Sequence, residues 1–251
     1  MDKSKIDVRD LWKRFDGKRG PIDVLTGVSF QVHDGELVCF LGPSGSGKTT
    51  LLQIIAGFEP PSRGEVLVDG EVVRAPSPKR IFVFQELGVF PWLQVRQNIG
   101  LGLGDLSPLE RKRIVSHYIE LVGLAGFEAA YPHELSGGMK QRVQVARALA
   151  VNPDILYMDE PFGALDSLTR LKIRAELIRI WERERRTILF VTHDIDEAIQ
   201  LSTKLVVLTA RPARVQTVVE VSLPRPRDLE SPAYLAIKEQ ICQEMGVPLR
   251  I

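Results

Sequence analysis

The feature that most constrains the fold of this sequence is a short glycine-rich stretch, GPSGSGKTT at residues 42–50. The almost wholly apolar run LVCFLG leads into it, and KTTLLQIIAGF follows with its apolar residues at helical spacing. Such an apolar run is typical of a strand that is buried on both faces of a parallel sheet. The sequence therefore predicts a strand, a tight loop and a helix in succession, with Gly57 ending the helix.

The same stretch fits the pattern G-x-x-x-x-G-K-[ST], and this pattern indicates a phosphate loop. Its glycines let backbone N–H groups surround a β-phosphate, and the helix N-terminus adds the positive end of its dipole. Lys48 is predicted to reach the β- and γ-phosphates of ATP, and the Thr49 hydroxyl to bind Mg²⁺. A glycine-rich turn without a ligand is the alternative. The predicted ATP-binding residues are Gly42, Pro43, Ser44, Gly45, Ser46, Gly47, Lys48, Thr49 and Thr50.

The remaining pattern predicts an α/β fold. Alternation in IDVRDLWKRF and VLTGVSFQV, with a hairpin signal at Asp69-Gly70, predicts a small antiparallel sheet. Buried strands return as IFVF, DILYMD, TILFVT and KLVVL, with helical stretches at 168–185 and 194–201 between the last of them. Such alternation predicts a parallel sheet with right-handed crossovers. The chain is predicted to be helical from about residue 108 to 150, and RVQTVVEVSL to form an edge strand before a last helix at about 231–245.

Composition limits the class of protein. The chain of 251 residues has 33 basic and 32 acidic residues, so we expect no large basic surface and no nucleic-acid partner. Cys39 and Cys242 lie far apart and have no histidine at metal-ligand spacing, which predicts neither a disulfide framework nor a zinc site. No apolar run approaches the ~20 residues of a membrane helix. We therefore expect the chain to stay inside the cell and to reach a membrane only through a partner.

Two carboxylates follow a second buried strand, in ILYMDE at 155–160. The strand should carry Asp159 to the C-terminal edge of the sheet, beside the phosphate loop. We predict that Asp159 holds Mg²⁺, usually through water, and that Glu160 polarises the water that attacks the γ-phosphate. The alternative is an Asp-Glu pair that only caps the next helix.

The stretch LSGGMKQR at 135–142 resembles the signature sequence of the ABC ATPase superfamily. Gln85 matches the Q-loop glutamine, GALD at 163–166 the D-loop, and His193 in VTHD the switch histidine, all in the family's order. The resemblance covers about residues 6–208. It implies an α/β P-loop NTPase (RecA-like) core with an N-terminal antiparallel β subdomain and an inserted helical subdomain.

The resemblance also implies the organisation of the chain as a single ABC ATPase domain over residues 1–251. The helical subdomain would cover about 86–150, and a C-terminal strand and helix about 209–251. The aromatic residue that stacks on adenine would be Phe15, with Trp12 as the alternative.

Site roles follow from the same resemblance. Ser136, Gly137 and Gly138 would bind the γ-phosphate of ATP held by a second copy of the chain in a head-to-tail dimer. Glu160 would be the catalytic base, and His193 would bond to the γ-phosphate and orient that carboxylate.

Two further contacts are implied by the resemblance. Gln85 would contact Mg²⁺ or the attacking water and report the nucleotide state to a membrane subunit. Asp166 in the D-loop would contact the opposite subunit.

At finer grain, FQELGVFPWLQVRQNI and LTARPARVQTVVEVSLPRPRD resemble the motors of importers for nitrate, aliphatic sulfonates, taurine and related small anions. This resemblance implies an ATPase coupled to transport, at the cytoplasmic face of the inner membrane, with two permease subunits and an extracytoplasmic solute-binding protein. Phe90, Pro91, Trp92, Leu93 and Val95 would form an exposed apolar cluster that docks the permease.

Two alternatives to this importer remain. One is a soluble ABC ATPase of DNA repair or translation, and the other is the motor of a transporter for another solute class. Soluble types usually carry two motor domains in one chain or a long coiled coil. This chain has one phosphate-loop motif and no sustained heptads, which favours a transporter.

Overall fold

The computed structural model describes residues 4–17, 20–86, 88–163 and 165–247. The chain divides into two compact units, one formed by residues 1–78 and 185–251, and the other by residues 79–184. The second unit contains the segment at about 86–150 that is predicted to be the inserted helical subdomain.

Three strands open the chain, and strands alternate with single helices from residue 155 to residue 208. The strands are β1 (Ser4–Gly17), β2 (Gly20–His33), β3 (Leu37–Leu41), β4 (Arg63–Val68), β5 (Glu71–Val72), β6 (Arg80–Val83), β7 (Ile155–Asp159), β8 (Thr187–Val191), β9 (Lys204–Leu208) and β10 (Val215–Glu220). The α-helices are α1 (Lys48–Ala56), α2 (Val95–Gly100), α3 (Pro108–Leu121), α4 (Gly137–Ala150), α5 (Ser167–Glu184), α6 (Ile195–Leu201) and α7 (Pro232–Glu244). A short 3₁₀ helix covers Pro132–Glu134.

The first unit contains an antiparallel sheet with the strand order β2-β1-β4-β5. The turn between β4 and β5 is Asp69-Gly70, with φ of 55° and 85°, and Val68 pairs with Glu71 across it. Positive φ at both central residues is what a two-residue type I′ hairpin turn needs, because its twist matches that of the strands. The predicted hairpin and the predicted N-terminal antiparallel sheet are therefore confirmed.

The first unit also contains parallel strands. Strand β3 pairs in parallel with both β8 and β9, and β10 pairs antiparallel with β9. Every residue of β3, β8 and β9 is buried, as expected for strands that are covered on both faces. The outermost strand, β10, alternates in burial along most of its length and confirms the predicted edge strand.

In the second unit, β6 pairs in parallel with β7, and helices α2, α3 and α4 pack against one another. The stretch predicted to be helical from about 108 to 150 is not continuous. Helix α3 ends at Leu121, where Gly123 has a left-handed φ of 65° and the N–H of Leu124 bonds to the carbonyl of Ile119 at 2.9 Å. This is the Schellman arrangement that stops a helix.

None of the helices in the described parts of the chain combines the length and the apolar character that a bilayer-spanning helix needs.

The glycine that ends α1 gives a testable prediction. Gly57 has φ of 86°, and a Cβ there would lie 2.6 Å from the carbonyl carbon and oxygen of Ala75. Gly57→Ala should therefore lower the free energy of unfolding by about 2–4 kcal/mol, since it adds a steric clash to the left-handed strain of about 1–2 kcal/mol. Urea-induced unfolding would measure this loss.

Gly246 is the matched control, because it follows α7 with φ of 65° and a Cβ there would meet no described atom within 4 Å. Gly246→Ala should lower the free energy of unfolding only by the left-handed strain, about 1 kcal/mol. Equal losses at the two sites would contradict the clash at Ala75.

Candidate active site

The phosphate loop joins β3 to α1 and depends on glycine for its path. Gly45 and Gly47 have φ of 73° and 107°, which side-chain-bearing residues rarely adopt. A Cβ on Gly47 would also lie 2.7 Å from Cγ1 of Val24. The loop can therefore keep this path only with glycine at position 47.

The start of α1 is arranged to hold an anion. Its cap residue, Gly47, has no side chain to bond the first N–H groups, and the first turn, KTTL, has no acidic residue. Lys48 is 6% exposed, and its Nζ donates to the carbonyls of Gly42 at 2.8 Å and Pro43 at 2.9 Å. The N-terminal N–H groups, the helix dipole and a fixed ammonium group together suit a polyphosphate.

Ser46 supplies a further indication of a ligand. Its Oγ is buried and has no hydrogen-bond partner among the described residues. A buried hydroxyl normally finds a partner, since leaving it unpaired costs about 1–3 kcal/mol. A phosphate oxygen beside the loop would supply that partner, so the residues present fit the predicted nucleotide.

In the second unit, β7 carries the two predicted carboxylates. Asp159 ends the strand at 1% exposure, and Glu160 follows with φ of 44°. A non-glycine residue in this left-handed region costs about 1–3 kcal/mol, and such residues cluster at functional sites. Gln141 of α4 donates from Nε2 to the backbone carbonyl of Glu160 at 3.4 Å. The signature stretch therefore contacts the backbone of the predicted base.

The signature stretch forms a helix start that is exposed. Ser136 caps α4 by accepting a bond from the N–H of Met139 at 3.3 Å, and α4 itself begins at Gly137. Ser136 and Gly137 are exposed, and a Cβ on Gly137 would meet no described atom within 4 Å. The predicted role of Ser136, Gly137 and Gly138 toward a second copy's ATP stays a prediction.

Of the two aromatic candidates for the adenine, Phe15 is 38% exposed, with the ammonium of Lys13 4.5 Å from its ring centre. Trp12 is already engaged. Its Nε1 donates to Asp10 at 2.8 Å, and the guanidinium of Arg63 lies 5.7 Å from its ring. Phe15 is the more exposed of the two rings, and its stacking role stays a prediction.

The remaining predicted residues lie on loops. Gln85 follows β6 and His193 follows β8, and both are exposed. Asp166 accepts a bond from the N–H of Thr169 at 2.9 Å at the start of α5, and hydrogen bonds from Thr169 lower the pKa of that carboxyl. Ala164 of the D-loop lies outside the described residues.

The predicted site residues therefore fall into two sets. The first unit holds Phe15, Gly42, Pro43, Ser44, Gly45, Ser46, Gly47, Lys48, Thr49, Thr50 and His193, and the second holds Gln85, Ser136, Gly137, Gly138, Asp159 and Glu160.

The family model described as ABC transporter matches residues 25–163, more than half of the chain. The chain belongs to the ABC transporter family. Two relatives in this family align over nearly the whole chain. An uncharacterized ABC transporter ATP-binding protein of Methanocaldococcus jannaschii is 46% identical over 95% of this chain and 90% of its own length. An aliphatic sulfonates import ATP-binding protein of Bacillus cereus is 44% identical over 95% of both chains.

Solved structures of ABC cassettes have the same fold. The dimeric structure of a bacterial ABC transporter cassette is 33% identical, with a TM-score of 0.78 over 86% of this chain and 98% of that one. A post-hydrolysis state of an ATP-binding cassette, bound to ADP and Pi, gives a TM-score of 0.78 at 32% identity. The predicted P-loop NTPase fold and the predicted ATPase are therefore confirmed for this ABC protein.

Arg211 contacts the phosphate loop, although no sequence motif predicts this contact. It lies between β9 and β10, and its guanidinium donates from Nε at 3.0 Å and from Nη2 at 2.9 Å to the carbonyl of Gly45. The two residues are 166 positions apart, so no local pattern could pair them. The ARP stretch marked this segment only as part of the importer resemblance. In the structure it holds the outer turn of the phosphate loop.

We predict that Arg211→Ala weakens ATP binding about three- to tenfold, because the exposed turn at Gly45 loses two hydrogen bonds of about 0.5–1.5 kcal/mol each. Titration with a fluorescent ATP analogue would measure the dissociation constant. Arg214→Ala is the matched control, since Arg214 lies in the same segment but donates to Thr26 at 3.1 Å. Equal affinity of the Arg211 variant and wild type would contradict this role.

Proposed function

We propose that this chain is the ATP-hydrolysing motor of an importer for a small organic anion of the sulfonate class. The observation that carries the motor assignment is the phosphate loop, where Lys48 is held by two loop carbonyls and the start of α1 has no side-chain cap. The solute class is supported by the 44% identity to an aliphatic sulfonates import ATP-binding protein. In this proposal residues 1–251 act as one ATPase domain.

The nucleotide would be held by the loop and by a magnesium ion. Mg²⁺ is usually bound by one or two carboxylates together with the substrate's phosphates, and not by a cage of protein ligands alone. In the described residues no group of three or more His, Cys, Asp or Glu side chains is close enough to hold a metal by itself. Thr49, Asp159 and Gln85 are the proposed ligands. The ion would neutralise the charge that develops on the phosphate oxygens.

The remaining chemistry belongs to residues of the chain. Glu160 would accept the proton of the attacking water, and its constrained backbone would hold the carboxylate in a defined position. His193 would bond to the γ-phosphate and orient Glu160. Lys48 and the N–H groups of the loop would stabilise the charge on the β- and γ-phosphates.

Two copies of the chain would form the working motor. The exposed start of α4, at Ser136 and Gly137, is suited to bind the γ-phosphate of ATP in a partner copy. A bacterial cassette that is 33% identical has been solved as a dimer. For this chain we propose a head-to-tail dimer, with two composite sites that hydrolysis opens.

Glu160→Gln should bind ATP with wild-type affinity but lower hydrolysis by about 10²–10⁴-fold, since the amide keeps the shape of the side chain and loses the base. Bound ATP should then trap a dimer in size-exclusion chromatography. Glu120→Gln makes the same change on the exposed face of α3 and should leave turnover intact. A Glu160→Gln protein that stays monomeric with ATP and Mg²⁺, where wild-type chains associate, would count against the dimer mechanism.

Residues 90–93, which follow Gln85 in the chain, are the proposed surface for a permease. Trp92 is 68% exposed, and its ring centre lies 5.5 Å from that of Phe90. Asn98 is fully buried and fixes the loop, accepting from the N–H of Phe90 at 2.8 Å and donating to the carbonyl of Leu93 at 2.8 Å. The prediction that Val95 belongs to this exposed cluster is wrong, because Val95 begins α2 and is 1% exposed.

A cavity of about 630 Å³ adjoins this loop between α2 and α3. Its walls include apolar Leu93, Val115 and Ile119 and basic Arg96 and Arg111. A mainly apolar cleft, lined by the residue that follows an exposed tryptophan, is the kind of site that anchors a partner helix. We propose that a short cytoplasmic helix of the permease docks here, close in sequence to Gln85.

Trp92→Ala should weaken assembly with the co-expressed permease by about 2 kcal/mol, or roughly 30-fold in affinity, as expected for an aromatic anchor. Basal ATP hydrolysis by the free chain should persist. Phe58→Ala removes an exposed aromatic side chain from the other unit and should leave pull-down yield unchanged. If the Trp92 variant assembles normally with the permease, the permease binds at another surface.

The complete importer in this proposal has two copies of the chain, two transmembrane permease subunits and an extracytoplasmic solute-binding protein. The chain would lie at the cytoplasmic face of the inner membrane, bound through the permease. A soluble ABC ATPase of repair or translation is not favoured, because a relative that aligns over 95% of both chains is named for import.

A further inference from the structure

Helix α6 begins directly after the loop that contains His193. Thr192, 2% exposed, donates from Oγ1 to Glu197 Oε2 at 2.6 Å and accepts from the N–H of Asp194 at 3.1 Å. The Asp194 carboxylate in turn accepts from the N–H of Glu197 at 3.0 Å. Both neighbours of His193 are therefore bonded to the first turn of α6, so the position of the histidine depends on the position of that helix.

The first turn of α6 is held by the C-terminal helix α7. Tyr234 donates from its hydroxyl to Asp196 Oδ1 at 2.8 Å, and Lys238 donates from Nζ to Asp196 Oδ2 at 2.8 Å. Tyr234 and Lys238 are four residues apart on one face of α7, so both reach the same carboxylate. Tyr234 is 1% exposed, and burial together with the bond to Asp196 raises the pKa of its phenol. The phenol therefore remains a hydrogen-bond donor at neutral pH.

The other end of α6 is held by two arginines of the LPRPRD stretch, Arg225 and Arg227. Arg225 donates to the carbonyl of Gln200 at 2.9 Å, and Arg227 to that of Ser202 at 2.6 Å. Further bonds reach the carbonyls of Leu201 and Ile199. The last carbonyls of a helix lack partners within it and carry partial negative charge, which favours cations there.

Arg227 remains charged in this position. Burial lowers its pKa to about 10, which is still well above neutral pH. It also donates to the carbonyl of Val221 at 3.1 Å, so it links the end of α6 to the segment after β10.

We propose that residues 222–247 are a positioning element for His193. This element holds α6 at both ends and so fixes the loop that contains the histidine. Tyr234 is its main positioning residue toward the first turn. The inference rests on the proposed role of His193 at the γ-phosphate. The LPRPRD stretch and α7 both belong to this element.

The test is a double-mutant cycle in the full-length chain. Tyr234→Phe removes one hydroxyl and keeps the buried ring. In single-turnover phosphate release it should lower the rate of ATP hydrolysis about tenfold, while the dissociation constant for ATP stays within about twofold, because the phosphate loop is untouched. In a His193→Ala background the same change should have less than a twofold effect, since its action passes through the histidine.

Tyr118→Phe is the matched control, because it makes the same chemical change on α3 in the other unit. It should leave hydrolysis unchanged in both backgrounds. Lys238→Met, at a residue whose side chain is 29% exposed, repeats the cycle if the Tyr234 variant fails to fold, as judged by thermal unfolding.

The possible results distinguish the proposed role of His193 from the proposed role of residues 222–247. If His193→Ala hydrolyses ATP at the wild-type rate, the proposed role of His193 is wrong and the positioning role is overturned with it. If His193→Ala is slow but Tyr234→Phe matches wild type, only the positioning element is overturned. A loss of rate from Tyr234→Phe that is equal in both backgrounds also overturns it, because the hydroxyl would then act without the histidine.

Discussion

Backbone N–H groups at the start of α1 can hold a polyphosphate only while the loop before them keeps its left-handed glycines. Gly47 cannot be replaced without contact between a Cβ and Val24, and Lys48 is bonded to two carbonyls of the same loop. This arrangement depends in turn on β3, which is buried along its whole length between β8 and β9. The rigid parallel strands therefore determine where the anion site can form.

Two of the predicted site residues, one in each unit, have local features that cost free energy. Glu160 has a left-handed φ of 44°, and the Ser46 hydroxyl is buried without a partner among the described residues. Such costs are acceptable in a domain whose strands bury apolar residues on both faces, where each large aliphatic side chain contributes about 1.5–3 kcal/mol. When the phosphate loop is already ordered, little of the free energy of ATP binding is lost in ordering it.

Local features of the sequence predicted a large part of this structure. The phosphate loop, the Asp69-Gly70 turn and the buried strands each follow from residues that are neighbours in the chain, because turn type and burial pattern depend on short-range geometry. The prediction was less accurate where packing decides. The burial of Val95, for example, depends on which face of α2 meets the other helices. The end of α3 at Leu121 is different, because it follows from a local signal, Gly123, that the predicted helical stretch passes over.

The sequence by itself determined the family, the fold class and the residues that form the phosphate loop, since motif spacing and hydrophobic period are properties of the chain alone. Only the tertiary structure decided that Arg211 holds Gly45 and that Tyr234 and Lys238 hold Asp196. These partners are 166, 38 and 42 positions apart in the chain. A hydrogen bond depends on two groups being close in space. For residues that are far apart in the chain, the packing of strands and helices determines this proximity, and no local sequence pattern predicts it.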